Sequence, residues 1–249
     1  MIYRVPPTEK LDKRKKPIDQ LNDQEALDVM LNSQAESILA VRNNLENIEN
    51  IVLEIYCHLS KNDEGRIIYT GAGTSARIGV QDGAELYPTF GWPRDRVDFL
   101  IAGSKKALFE SIENAEDNIL KVLDGIDGDT ICKKDVIIAL AASGNTPYTC
   151  EVIKKSNALG ALTLGIANNK ECKLLNESKL KVFLDTGPEV VSGSTRLKAG
   201  TSQKICLNLI STLLMSKFGR IKNGYMSHMV ATNEKLRLRK KKINKLDLI

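Results

Sequence analysis

Histidine is almost missing from this chain: His58 and His228 are the only two. A multi-histidine metal site is thereby excluded, and no metal or cofactor is expected. The five cysteines, Cys57, Cys132, Cys150, Cys172 and Cys206, form no C-x-x-C pair. Neither a zinc site nor a disulfide frame is indicated, and reduced thiols in a cytoplasm are expected. No stretch approaches the roughly 20 apolar residues that span a bilayer. The opening Met1-Ile-Tyr-Arg-Val-Pro-Pro7 lacks the apolar core of a signal peptide. Aromatics make up only 5%, and none interleaves with the basic runs at the two ends, Lys13–Lys16 and Arg237 to Lys245, as a single-strand nucleic-acid binder would want. Those runs read as solvated ends, and the net charge of +5 is modest.

What is present is an ordinary globular composition, 249 residues with 42% hydrophobic and 27% charged, enough for one large α/β domain or two small ones. Residues 1–19 read as a mobile or draped arm. From about Leu21 to Ser60, apolar residues recur at three- and four-residue steps, as in helices. Five short β-rich runs follow: Arg66–Thr70, Val97–Ala102, Asp135–Ala142, Ala161–Ala167 and Leu180–Leu184. Most are continuously apolar, as buried parallel strands are, and helical text follows each. The helix after the last run is expected to start near Ser194 or Thr195, and a further helix to cover Tyr225 to about Lys240. This alternation predicts a three-layer αβα sandwich with a five-stranded parallel sheet and a helical N-terminal arm. The boundaries read as an arm with helices over 1–59, the α/β domain over 60–220, and a C-terminal helix with a basic tail over 221–249.

Two strand-to-helix turns carry the chemistry. Thr70-Gly-Ala-Gly-Thr-Ser-Ala-Arg77 follows the first run, and Ser143-Gly-Asn-Thr-Pro147 follows the third. Glycine permits the tight bend, and each following helix offers its N-terminus to an anion. Taken alone, either turn is also what an ordinary helix cap looks like. A dinucleotide site would want a third glycine where Ala76 stands and an acidic residue closing a second strand. Together the turns predict one small phosphorylated ligand, held by Thr74, Ser75, Ser143 and Thr146.

Two carboxylates stand out. Glu116 lies in Glu113-Asn-Ala-Glu-Asp117. Glu85 is surrounded by Ala84, Leu86, Tyr87 and Phe90, a setting that would favour a protonated carboxyl able to act as an acid. A continuous helix from Ser75 would put Glu85 roughly 15 Å from the phosphate turn. Either the chain breaks at Gly79 or Gly83, or Glu85 serves a site completed by another subunit. The segment from Gly187 to Lys204 crowds glycine, hydroxyls, Glu189, Ser194, Arg196 and Lys198 at a strand-to-helix junction, which favours a site.

Gly71-Ala-Gly-Thr-Ser75, Ala142-Ser-Gly-x-Thr-Pro-Tyr148, Gly187-Pro-Glu-Val-Val191, Gly193-Ser-Thr-Arg-Leu-Lys-Ala-Gly-Thr201 and Ala231-Thr-Asn-Glu-Lys-Leu236 resemble the N-acetylmuramic acid 6-phosphate etherases, enzymes built on the sugar isomerase (SIS) domain. The resemblance covers about residues 60–238. It implies a carbon–oxygen lyase that removes the D-lactyl ether at C3 of N-acetylmuramic acid 6-phosphate by elimination and hydration. Glu116 would be the C2 base. Glu85 would be the acid that protonates the leaving oxygen and later activates water. Thr74, Ser75, Ser143 and Thr146 match phosphate-holding positions, and Glu189, Ser194 and Lys198 fall in the matched substrate-binding strings. No cofactor is implied; a homodimer is, with sites near its interface. Asn145 stands where the family usually has Arg, Ala76 replaces a usual Gly, and family members commonly continue beyond the position of Ile249. A non-catalytic sugar-phosphate-binding regulator of the same fold is the other reading, and an aldose–ketose isomerase a third, disfavoured by the Gly193–Thr201 string.

Overall fold

The computed structural model describes residues 5–13, 16–117, 119, 125–128, 130–231, 234 and 237–238. The five apolar runs are strands β1 (Ile67–Gly71), β2 (Val97–Ile101), β3 (Val136–Leu140), β4 (Leu162–Ala167) and β5 (Leu180–Phe183). They form one parallel sheet in the order β2-β1-β3-β4-β5. Around it lie α1 (Asp23–Arg42), α2 (Leu45–Ser60), α3 (Gly73–Phe90), α4 (Pro147–Ala158), α5 (Lys173–Glu177) and α6 (Lys198–Lys217).

The layers follow from strand geometry. Every residue of β3 is buried, and successive side chains leave on opposite faces. Val136, Ile138 and Leu140 join a core with Ile51, Val52 and Ile55 of α2 and Cys206, Ile210 and Leu214 of α6. Ile137 and Ala139 join a second core with Val152 and Ile153 of α4 and Leu174 of α5. A continuous apolar run therefore serves two cores at once, and α2 is itself a core helix.

The N-terminal helical stretch is two helices, broken at Asn43 and Asn44. There the Asn44 amide donates to the Ala40 carbonyl at 2.9 Å and to the Phe183 carbonyl at 2.8 Å, tying the break to β5. Where a helix was expected from Tyr225, the chain instead forms a hairpin of β6 (Ile221–Lys222) and β7 (Tyr225–Met226). Its turn is Asn223-Gly224, both at positive φ, 51° and 77°, as a two-residue hairpin loop demands. Of the rest of the expected helix, residues 227–231 are turn and irregular chain, 234 and 237–238 are helical, and the others up to Lys240 lie outside the described residues.

The strand order reverses between β1 and β3, which makes the crevice at their carboxyl ends the place where such sheets hold ligands. Gly71 pairs in register with Leu140, so the two hydroxyl-rich turns start at the same height. At the opposite end, buried Asp135 accepts from the Arg66 guanidinium at 2.7 and 3.2 Å, from the Arg66 backbone N–H at 3.0 Å and from the Cys132 N–H at 2.9 Å.

Candidate active site

At the switch point a cavity of about 430 Å³ is walled by Ala72–Ser75, Ala141–Ser143, Asn145–Pro147, Glu116, Thr195 and Glu9. A second, of about 440 Å³, adjoins it through Ala72–Thr74 and Glu116 and extends along Arg77, Glu110 and the 111–117 segment. The fold thus brings Thr74, Ser75, Ser143, Thr146 and Glu116 to one place, from three separate stretches of chain.

Each is positioned by local chemistry. No side chain caps α3 or α4, so first-turn N–H groups of α3 keep their anion-binding capacity at the cavity. Gly144 turns the chain at φ 69°. The Ser143 hydroxyl accepts from the Asn145 N–H at 3.2 Å, which leaves its proton to donate to a ligand. The Asn145 side chain accepts from the Lys173 N–H at 3.0 Å and so holds the turn to α5. The Ser75 hydroxyl does not point to solvent; it is buried and donates to Gln203 Oε1 at 2.8 Å. The Glu116 carbonyl accepts from the Tyr148 N–H at 2.9 Å, locking the Glu116 segment to the first turn of α4. Arg77 donates to the Ala107, Leu108 and Glu110 carbonyls at 3.1–3.2 Å, bracing the same loop against α3. Burial pushes the Tyr148 phenol up to about 12, so it remains a proton-bearing donor at neutral pH.

Glu85 is placed elsewhere. α3 runs without a break from Gly73 to Phe90, so the expected interruption at Gly79 or Gly83 does not occur. Both glycines instead let the helix lie close to the sheet. A Cβ at Gly83 would sit 2.7 Å from the Tyr69 and Phe99 rings, and one at Gly79 would touch Leu140 and Tyr69. Glu85 is exposed, and its carboxylate accepts a 3.5 Å hydrogen bond from the Thr89 hydroxyl. The apolar enclosure suggested by its neighbours is absent: Leu86 and Phe90 are buried in the core, whereas Ala84 is exposed like Glu85 itself.

Glu189, Ser194 and Lys198 do not reach the cavity. Helix α6 begins at Lys198, later than Ser194, after a polar loop. Glu189 is 1% exposed and caps α6, accepting from the Lys198 and Ala199 N–H groups at 3.2 and 3.0 Å. Burial holds its carboxyl above the ordinary range, against the pull of those N–H groups and of Lys198. Lys198 is fully buried, and its ammonium pairs with Glu36 on α1. Ser37 donates to the Lys198 carbonyl at 2.9 Å, and Thr201 to Gln34 at 2.7 Å. This polar string is therefore what docks α1 on α6. Thr195, next to Ser194, lines the cavity in its stead.

Glu9, Arg77, Thr195 and Gln203 were missed in the sequence. Thr195 and Gln203 lay inside a segment already marked as polar, and Arg77 at the end of the first motif. Nothing local pointed to Glu9, which stands more than 60 residues before either turn.

A parallel sandwich with hydroxyl-rich turns at its switch point is the architecture of a SIS-domain protein. The SIS domain family pattern matches residues 126–213, and that of the glucokinase regulatory protein N-terminal SIS domain matches residues 48–157. Among solved structures, an E. coli protein superposes with TM-score 0.56 at 14% identity, covering 82% of this chain and 97% of that one. The Vibrio vulnificus NanR protein complexed with ManNAc-6P superposes at 0.54 and 12%, covering 92% and 72%. These share the fold. Closer in sequence are N-acetylmuramic acid 6-phosphate etherases. That of Geobacillus thermodenitrificans is 40% identical over 95% of this chain and 79% of its own length. That of Deinococcus radiodurans is 48% identical over 72% of this chain and 59% of its own. The chain belongs to the N-acetylmuramic acid 6-phosphate etherase family.

Proposed function

We propose that this protein cleaves the D-lactyl ether of N-acetylmuramic acid 6-phosphate, giving N-acetylglucosamine 6-phosphate and D-lactate, a step of amino-sugar catabolism and cell-wall recycling. The observation that carries this reading beyond kinship is the convergence of Thr74, Ser143 and Thr146, two helix N-termini and the Glu116 carboxylate on one cavity. The α3 N-terminus and the three hydroxyls suit the 6-phosphate. In the open-chain aldehyde the C2 proton is acidic, and Glu116 takes it. The C3–oxygen bond then breaks, lactate leaves with a proton from a second carboxyl, and water adds to C3 of the alkene while C2 regains a proton.

The second carboxyl is Glu85, and we place it in the site of a partner copy. With α3 unbroken, Glu85 lies about 15 Å along the helix from Ser75, beyond its own cavity. A symmetric dimer supplies each cavity with the other copy's Glu85. All five cysteines are unpaired, which suits a reducing cytoplasm, and no helix among the described residues is long and apolar enough to cross a membrane.

The test is D-lactate release from N-acetylmuramic acid 6-phosphate. Release that Glu116→Gln abolishes while substrate still binds supports the reading. Binding without release points instead to a sugar-phosphate regulator of the same fold. Mixing subunits tests the partner arrangement. Glu85→Gln and Glu116→Gln proteins, each inactive, recover about a quarter of wild-type activity once exchanged if Glu85 acts across a two-fold dimer. They stay inactive if it acts within its own chain.

A further inference from the structure

We propose that Glu9 is a specificity-determining residue of this cavity, one that reads the hydroxyl groups beside the phosphate and disfavours free inorganic phosphate. The inference rests on the sugar-phosphate reading above and adds to it a residue that none of the motifs contains.

Apart from Glu116, the proposed base, the cavity wall is otherwise built to attract an anion, with the Thr74, Ser143 and Thr146 hydroxyls and the α3 N-terminus. Glu9 breaks that pattern. Its carboxylate makes no hydrogen bond or ion pair among the described residues, although its backbone is held from several sides. The preceding Thr8 is fully buried and bonded through its hydroxyl to the Asn169 amide at 2.9 Å. The Thr8 carbonyl accepts from the Gly193 N–H at 3.2 Å, and the Glu9 carbonyl from the Ser192 hydroxyl at 2.8 Å. Asn169 also donates to the Ala142 and Ser143 carbonyls, at 3.2 and 3.4 Å. The strap that carries Glu9 is thus tied to the Ser143 turn itself. The carboxylate passes so close to Gly193 that a Cβ there would lie 2.8 Å from Oε2.

A negative group fixed beside an anion site repels a bare anion. It becomes favourable when the ligand presents hydroxyl donors next to its phosphate, because each then makes a charge-assisted hydrogen bond. Glu9 therefore trades phosphate affinity for selectivity toward a phosphorylated polyol chain.

Calorimetric titration of the wild-type protein, Glu9→Gln and Glu9→Ala with N-acetylglucosamine 6-phosphate and with sodium phosphate decides the matter. Both variants should bind the sugar phosphate about tenfold more weakly and inorganic phosphate about threefold more tightly. Opposite signs cannot come from a loosened strap, which would weaken both ligands. The proposal is overturned if both affinities fall together, or if neither changes while the wild-type protein still releases D-lactate, in which case the etherase reading stands without it. If the wild-type protein binds no sugar phosphate, that reading fails and this inference with it.

Discussion

Substituting alanine at Gly144 probes the second turn and the packing behind it. Gly144 has φ 69°, and a Cβ built there would collide with Cys172 Sγ and lie 2.6 Å from Cys172 Cβ and 3.2 Å from Ala167 Cβ. Two costs follow. Left-handed backbone costs a non-glycine residue about 1–2 kcal/mol, and overpacking a filled site costs about 1–3 kcal/mol. Their sum centres on about 3.5 kcal/mol, a large share of a typical 5–15 kcal/mol stability. For a chain of this length it should lower Tm by about 7–14 °C. The turn is also held by Gly144 itself, whose N–H donates to Ala141 and whose carbonyl accepts from Leu174, each at 2.9 Å. Displacing it shifts the Ser143 and Thr146 hydroxyls, so KM should rise as well.

The two costs separate in a double-mutant cycle. Cys172→Gly removes both of the nearest atoms but leaves φ unchanged. Cys172 precedes α5 in extended backbone, at φ −143°, where glycine is tolerated. If the steric part is real, Gly144→Ala should cost at least about 1 kcal/mol less in the Cys172→Gly background than in the wild type, the remainder being backbone strain. Urea unfolding of the four proteins measures this. Strict additivity would refute the packing argument, and a Gly144→Ala variant as stable as wild type would refute both terms.

Three further outcomes follow from the polar contacts. Burial pushes the Asp135 carboxyl up, but the Arg66 guanidinium and the Cys132 and Arg66 N–H groups outweigh it and hold the carboxyl below its ordinary value. The unfolded chain therefore takes up the proton first. The stabilisation is full above the ordinary aspartate range and is lost as pH falls through the lowered folded value. Asp135→Asn should cost about 2–4 kcal/mol at neutral pH and flatten the acid limb of Tm against pH; an unchanged limb would remove Asp135 from it. The buried Tyr69 hydroxyl donates to Asp82 at 2.8 Å, so Tyr69→Phe should cost about 1–2 kcal/mol, read from urea unfolding, with a null effect showing the bond to be idle. Ser143→Ala should raise KM for the sugar phosphate about tenfold with kcat nearly unchanged, and an unchanged KM would take Ser143 out of the phosphate site.

The sheet was legible because its strands are short apolar runs bounded by polar turns, and the side-chain period of two then dictates which residues of Val136–Leu140 meet which layer. The two hydroxyl-rich turns at the switch point were legible for a related reason. Glycine, hydroxyl and proline must fall at fixed offsets where a strand turns into a helix. The hairpin at Asn223-Gly224 carried an equally direct signal, outweighed by the helical text around it. Lys198 and Glu189 misled because a polar cluster reads the same from sequence whether it faces a ligand or satisfies a buried helix end. Glu9 was hidden because its position depends on hydrogen bonds to Asn169, Ser192 and Gly193, partners about 160 residues and more away, and no local pattern encodes such a distance.

Helix α3 sets the dimensions of the site. Its first turn lines the cavity, and Ser75 is pinned to Gln203. Midway, Gly79 and Gly83 seat it against Leu140, Tyr69 and Phe99, and buried Asp82 accepts from Tyr69, Asn208 and Ser211 at 2.8–3.0 Å. At its far end Gly91, at φ 61°, closes the helix by donating to the Tyr87 carbonyl at 2.9 Å. A helix fastened to the sheet and to α6 along its length cannot bend at Gly79 or Gly83 without placing side chains and rings in collision. Glu85 is therefore held at a fixed remove from the turn that the same helix begins. Closing that gap by flexing one chain would require breaking the Asp82 cluster, several hydrogen bonds to a buried carboxylate. Bringing up the same helix from a second copy requires breaking none, and that difference is the physical reason for assigning Glu85 to the partner's cavity.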